Sequence, residues 1–143
     1  MSEIYVVGFD GTDSSSHAIQ FAAARARLAG GQLHLVHVLE WSPYSFYTPE
    51  ELAERHKRRR KELERAGAIL KPVVDELNAS GLKATSEVQY GHAGDLLCKI
   101  AQEKGAAQIV IGRTGTSEFT ARLLGGLAIS LAQASPVPVT IVP

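Results

Sequence analysis

Two stretches of this 143-residue chain bring glycine together with hydroxyl and carboxylate groups. The first is Gly8-Phe9-Asp10-Gly11-Thr12-Asp13-Ser14. The second opens Gly112-Arg113-Thr114-Gly115 and, after nine intervening residues, reaches Gly125-Gly126. Glycine admits close backbone approach and positive φ, and the N-terminus of a following helix offers orphan N–H groups and roughly half a positive charge, which together suit a phosphate. Such a cradle needs no lysine. Neither stretch is a G-x-x-x-x-G-K-[ST] loop or a G-x-G-x-x-G fingerprint. The residues alone therefore leave two readings open, a phosphate site and ordinary turns, because 13 glycines must sit somewhere.

Other reactive residues have simpler readings. Asp10, Ser14 to Ser16 and His17 hold the residue types of a nucleophilic triad, but neighbours on one turn and helix start rarely reach the geometry that base and nucleophile need, and helix capping is the better account. His34 and His37 lie three apart in an extended run, which puts them on opposite faces and forbids joint metal ligation; they read as packed or edge histidines. One cysteine and no His-Glu-x-x-His pattern argue against a metal site. Cys98, between Leu97 and Ile100, reads as a small packed residue with no base to lower its pKa. The basic run His56 to Lys61 is flanked by acids, with Glu54/Arg58, Arg58/Glu62 and Arg60/Glu64 at four-residue spacing, so it reads as a solvated, self-paired helix face. Thr114, Thr116, Ser117 and Thr120 crowd the second glycine loop, where hydroxyls contact phosphate or simply enrich a loop.

Elements of two kinds must position these groups. Ile4-Tyr5-Val6-Val7 reads as a strand buried on both faces. A helix follows, capped by Asp13 or one of Ser14 to Ser16 and ended by Gly30-Gly31. Leu33 to Leu39 is a second strand, completing a βαβ unit. Trp41 to Tyr47 reads as an aromatic loop. Thr48, Pro49 and Glu51 form a capping box for a long helix whose apolar stripe runs from Leu63 to Leu77, with a kink or break expected near Lys71 because of Pro72. A third strand over Leu82 to Tyr90, a helix over Ala93 to Lys104, a strand over Ala107 to Ile111, a helix over Leu124 to Ala134 and a strand over Val137 to Val142 complete the pattern. Strands alternating with helices imply a mostly parallel sheet with helices on both faces.

The length fits one domain, residues 1–143, large enough to fold without disulfide or metal. Fifteen Lys plus Arg balance 15 Asp plus Glu, which gives no global attraction to nucleic acid or to a membrane surface, so any anion site is local. No apolar run approaches the ~20 residues of a spanning helix, the N-terminus lacks the pattern of a secretory signal, and a single thiol fits a reducing compartment. The expected location is the cytoplasm.

Gly112-x2-Gly115-x9-Gly125, after a strand ending Ile109-Val110-Ile111 and before Ala134-Ser135-Pro136-Val137-Pro138-Val139, resembles the nucleotide-binding stretch of the universal stress protein family. The opening Ile4 to Thr12 with Ser15 and Ala18 is similar to that family's first strand and turn, Leu35-Val36-His37-Val38 to its second strand, and Gly91-His92-Ala93 to the turn after its third. Each piece is short; their order and spacing are specific, and they span the chain. The resemblance implies a doubly wound, Rossmann-like or flavodoxin-like α/β domain whose five parallel strands run in the order 3-2-1-4-5.

It also implies a ligand, an adenine nucleotide such as ATP, ADP or AMP, with or without Mg²⁺. Asp10, beside Gly8 and Phe9, would hold the ribose or adenine end and Val38 would line the adenine pocket, while Gly112, Gly115, Gly125, Gly126 and Leu127 would cradle the phosphates with Arg113 nearby. The chain departs from the family pattern at Gly126, where a Ser or Thr hydroxyl ordinarily contacts phosphate. Losing one hydrogen bond to a charged group costs about 1.5 to 3 kcal/mol, roughly tenfold to a hundredfold in affinity. The Gly126 N–H remains, and the Arg113 guanidinium offsets part of the loss. The implied function is a nucleotide-binding stress-response regulator, dimeric through its C-terminal edge strand, with a protein partner the residues do not identify. Two rivals are a nucleotide-free dimeric interaction protein of the same fold, which Gly126 favours, and an adenylate-forming enzyme of the ATP pyrophosphatase kind, which the Phe9 to Ser15 stretch faintly echoes.

Overall fold

Ile4–Gly8 forms β1, a run of β-branched and aromatic side chains buried on both faces. The computed structural model describes residues 3–40, 48–113 and 126–143. Helix α1 spans Asp13–Ala29 and returns the chain to β2, Gln32–Glu40. The cap of α1 is Thr12, one residue before the expected Asp13 or Ser14 to Ser16: its hydroxyl accepts the Ser15 N–H at 3.2 Å, while Ser15 itself turns back to donate to the Thr12 carbonyl. Gly30 closes the helix in the left-handed region (φ 68°).

Helix α2 spans Pro49–Ala79 and begins with the expected capping box, Thr48 and Glu51 each satisfying the other's backbone N–H. Pro72 lies inside this helix without breaking it. Both Pro72 and Ala68, whose carbonyl loses its intrahelical donor, are exposed, so water can satisfy that carbonyl. Leu70 and Leu77 on either side are buried, and their packing holds the two halves in line. The remaining elements are β3 (Ala84–Gly91), α3 (Ala93–Lys104), β4 (Gln108–Gly112), α4 (Gly126–Ala134) and β5 (Val139–Val142). The third and fifth strands are shorter at their starts than the sequence implies: Leu82 and Lys83 precede β3, and Val137 and Pro138 precede β5. The aromatic loop, Trp41 to Tyr47, and the expected start of the last helix at Leu124 lie outside the described residues.

All four strand pairings are parallel and the order is β3-β2-β1-β4-β5. Helices α1 and α2 share one core with Tyr5, Val7, Phe9, Leu33, Leu35 and Val110. Helices α3 and α4 share the other with Val6, Val36, Ile109 and Ile111. That division follows from right-handed crossovers: the chain first steps from β1 toward β3, then jumps back across β1 and steps toward β5, so the connections of the second half cover the opposite face. The direction reverses between β1 and β4, which opens a crevice at their carboxyl ends. Among the described residues no helix is long and apolar enough to cross a membrane.

Candidate functional site

The crevice is built on two neighbouring strand ends. Val7 pairs with Val110, which sets Phe9 level with Gly112 and Asp10 level with Arg113. The ladder continues past both strands: the Phe9 N–H donates to the Val36 carbonyl at 2.9 Å and the Arg113 N–H to the Val142 carbonyl at 2.7 Å. Gly8, Phe9, Asp10, Gly112 and Arg113 therefore share one edge of the sheet, with Val38 near the end of β2 and level with Gln89. Gly126 and Leu127 open α4. Ser130, one turn on, lies against Gly94 at the start of α3, where a Cβ on the glycine would sit 3.5 Å from the serine Cβ, so α4 also starts toward this edge. Gly115 and Gly125, with Thr114, Thr116, Ser117 and Thr120, lie outside the described residues.

Asp10 organises the first loop. Its Oδ1 accepts both the Thr12 N–H, at 3.0 Å, and the Thr12 hydroxyl, fixing the residue that caps α1. Among the described residues its Oδ2 accepts no hydrogen bond, so one carboxylate oxygen builds the loop while the other is left for a donor from outside. Gly11 between them takes φ 81°, a conformation that a side chain would strain. The residues of the expected capping cluster have separate partners: the Ser14 hydroxyl points to the Val142 carbonyl, Ser15 to the Thr12 carbonyl and His17 to the Pro143 carbonyl. They do not converge as a triad.

The glycines have distinct reasons to be glycine. A Cβ on Gly112 would fall 2.4 Å from the Ser14 hydroxyl and 2.6 Å from its carbonyl carbon, so the missing side chain is what lets the N-terminus of α1 press against the end of β4. On Gly8 it would meet Ile111 at 3.1 Å. Gly126 is different: it is exposed and, among the described residues, a Cβ there would meet nothing within 4 Å, so a hydroxyl side chain would fit against them.

The two histidines fall on opposite faces of β2, as their spacing requires. His34 is buried between Thr85 and Glu87 of β3, with Nδ1 and Nε2 each 2.7 Å from its partner, and Gln89 donates to the other Glu87 oxygen. Burial pushes the Glu87 carboxyl up, but the hydrogen bonds from His34 and Gln89 and the electrostatic pull of His34 and Lys104 outweigh it and leave the group below its ordinary value. His37 packs on the other face instead, its ring edge-on to Phe9 at 5.5 Å between centroids. Burial lowers its pKa, opposed in part by the Asp10 carboxylate. Among the described residues its Nδ1 is buried with no hydrogen-bond partner. Packing of His37 is what its sequence context implies, but its link to Asp10 arises only when β1 and β2 pair in this register.

On the far side of β2, Tyr90 at the end of β3 donates to Glu62 of α2 and lies under the Arg59 guanidinium, 5.5 Å from the ring centre. Burial and the Glu62 carboxylate push the phenol up to about 12, so it stays neutral and keeps its donor. Beyond this anchor the first turns of α2 bury no residue. There the expected pairs Glu54/Arg58, Arg58/Glu62 and Arg60/Glu64 do not close into ion pairs among the described residues; solvation is the account that holds for them, and exposed pairs of this kind gain little in water. The Cys98 thiol is pushed up by burial and by the Asp95 charge, in keeping with a packed residue.

A model of the universal stress protein family matches residues 1–143, and the chain belongs to that family. It is 27% identical over 145 residues to universal stress protein YxiE of Bacillus subtilis (strain 168), covering 96% of both chains. The solved structure of the universal stress protein UspA from Lactobacillus plantarum superposes with a TM-score of 0.87 at 20% identity, covering 99% of this chain and 97% of that one, a likeness of fold. A universal stress protein crystallised in complex with cAMP is 27% identical, with a TM-score of 0.70 over 99% of this chain and 96% of its own.

Proposed function

We propose that this protein binds an adenine nucleotide, ATP or ADP, in the crevice between β1 and β4 and acts as a ligand-controlled regulator. The observation that carries the reading is the half-used carboxylate of Asp10 at the topological switch point, one oxygen holding the loop and the other available to a ribose hydroxyl or an adenine N–H. Val38 offers an apolar wall beside it, and Gly112, Arg113, Gly115, Gly125, Gly126 and Leu127 take the phosphate end. A universal stress protein of similar sequence carries cAMP, which supports an adenine ligand in this chain. In this reading the nucleotide serves as a conformational ligand and not as a rapidly consumed substrate.

In this reading the protein is a homodimer. Pro138 and Val142 turn their carbonyls toward β4, so the alternating backbone groups of Val139 and Ile141 face the open edge of β5, where a second copy would pair them. The rival reading, a nucleotide-free interaction protein, has the unoccupied hydroxyl position at Gly126 in its favour. Binding of a fluorescent ATP analogue to the native protein and to Gly115→Val separates the two. A β-branched side chain blocks backbone approach to phosphate, so the variant loses affinity at least tenfold with an unchanged circular dichroism spectrum; equal affinity would remove the glycine loop from the site.

A further inference from the structure

The amino-terminal part of α2 reaches past the sheet on which the rest of the helix packs. Two contacts fix its direction: the Asn78 side chain, near the end of the helix, exchanges hydrogen bonds with Ala84 at the start of β3, and Glu62 accepts one from Tyr90 near the end of that strand. The helix thus runs antiparallel to β3 and meets the carboxyl edge of the sheet near Glu62. At 1.5 Å per residue, the stretch from Pro49 to Lys61 extends about 20 Å beyond that edge. None of its residues is buried. This arm carries Arg55 to Lys61, in which every residue is basic. Arg59 turns inward over the Tyr90 ring, and Arg55, one turn before it, is half-buried as well. Lys57, Arg58, Arg60 and Lys61 are exposed, and among the described residues none of them forms an ion pair. Glu62, which stands four residues after Arg58, is engaged by the Tyr90 hydroxyl instead. Lys57 lies one turn from both Arg60 and Lys61, and like charges at that spacing repel one another along a helix. The arm therefore gains little from burial and loses by internal repulsion, a cost that a negative partner relieves.

We propose that this projecting arm is a docking surface for a short acidic segment of another protein, with Lys57, Arg58, Arg60 and Lys61 as its contacts. The basic stretch is about 10 Å long and is bounded by carboxylates, Glu51 and Glu54 before it and Glu62 and Glu64 after it. A few consecutive Asp or Glu side chains fit between those limits. A polynucleotide or an anionic bilayer carries its charge past both ends and meets the carboxylates there. The arm also lacks what such partners use besides charge. From Pro49 to Arg65 there is no aromatic side chain to stack on a base, and Leu52 and Leu63 stand too far apart to form an apolar face for a bilayer. With positive and negative charges balanced over the whole chain, attraction of an acidic segment is local to the arm. Because the arm leaves the sheet at its carboxyl edge, the docked segment stands at the same end of the molecule as the crevice.

The test is fluorescence anisotropy of a labelled hexaglutamate peptide with the native protein and two double variants, Lys57→Gln/Lys61→Gln in the arm and Lys71→Gln/Lys83→Gln outside it. All four lysines are exposed, so both variants remove the same charge without disturbing a core, and circular dichroism confirms that each is folded. At an ionic strength of about 50 mM, where screening is modest, the native protein and the outer variant are expected to bind alike. The arm variant should bind roughly tenfold or more weakly, because two charge-assisted contacts are gone. Equal losses in the two variants would show attraction to net charge alone and would overturn the proposal, as would no binding by the native protein. A longer single-stranded DNA and vesicles of mixed phosphatidylserine and phosphatidylcholine serve as the other anionic surfaces. Weaker binding of both than of the peptide is expected, and tighter binding of either would overturn the assignment of the arm to an acidic protein segment.

Discussion

At Gly126 the chain lacks a side chain where there is room for one. The open space that a Cβ would enter means that Gly126→Ser adds a hydroxyl at little steric cost, and the substitution does not disturb packing at the start of α4. If the phosphates lie in this loop, the new hydrogen bond to a charged group should strengthen ATP binding by about 1.5 to 3 kcal/mol, roughly tenfold or more, and leave AMP binding less affected; calorimetry on the two proteins checks it. Gly112 makes the contrasting prediction. Its Cβ would overlap the backbone of Ser14, so Gly112→Ala should destabilise the fold by about 1 to 3 kcal/mol through forced separation of α1 from β4, measured by urea denaturation. In the sequence both positions are simply glycines of the second glycine stretch. Only the neighbour across the sheet distinguishes them, because a contact between residues 14 and 112 has no local signature.

The elements are largely legible because each carries its own punctuation. Continuous β-branched runs mark β1 and β4 as central strands, the Thr48/Glu51 pair marks the start of α2, and Gly30 and Gly105 mark helix ends by taking positive φ. The cap of α1 falls one residue before the expected position because Thr12, Asp13, Ser14 and Ser15 are all good caps in isolation; Asp10 decides among them by fixing Thr12 from behind. Thr12→Ala should accordingly cost more than the ~1 kcal/mol of an ordinary cap, since Asp10 also loses a donor, and a thermal melt against Ser14→Ala serves as the comparison. Pro72 departs from expectation for the opposite reason: its local rule is sound, but exposure on one side and buried leucines on the other offset it. Between β2 and β3, the Glu87 carboxyl lies below its ordinary value of 4.5, so the unfolded chain takes up its proton first as pH falls. The stability it contributes is complete above that ordinary value and drains away as pH drops through the folded value. Glu87→Gln should lower stability at pH 7 and flatten the acid limb of a stability profile below about pH 4.5; an acid limb identical to that of the native protein would show that His34 and Glu87 are not coupled as drawn.

Over the whole molecule, two cores on opposite faces of one parallel sheet leave function to the edges: the carboxyl edge with its crevice and the lateral edge at β5. The order of the strands follows from the family resemblance, and the reversal between β1 and β4 then fixes where a ligand can enter. The site itself is legible in the sequence only as a set of residue types. That Asp10 commits one oxygen to Thr12, and that His37 packs edge-on against Phe9, depends on how the strands come together, which no short motif encodes. Sedimentation equilibrium should give twice the 15.3 kDa chain mass if β5 pairs with its copy; a monomer at micromolar concentration would contradict that assembly. The central claim is tested most directly by calorimetric titration of the protein, shown by mass spectrometry to carry no copurified nucleotide, with ATP, ADP and AMP in the presence and absence of Mg²⁺. Micromolar binding that weakens from ATP to AMP is the predicted result; no heat with any of the three would contradict it and leave the crevice to a protein partner.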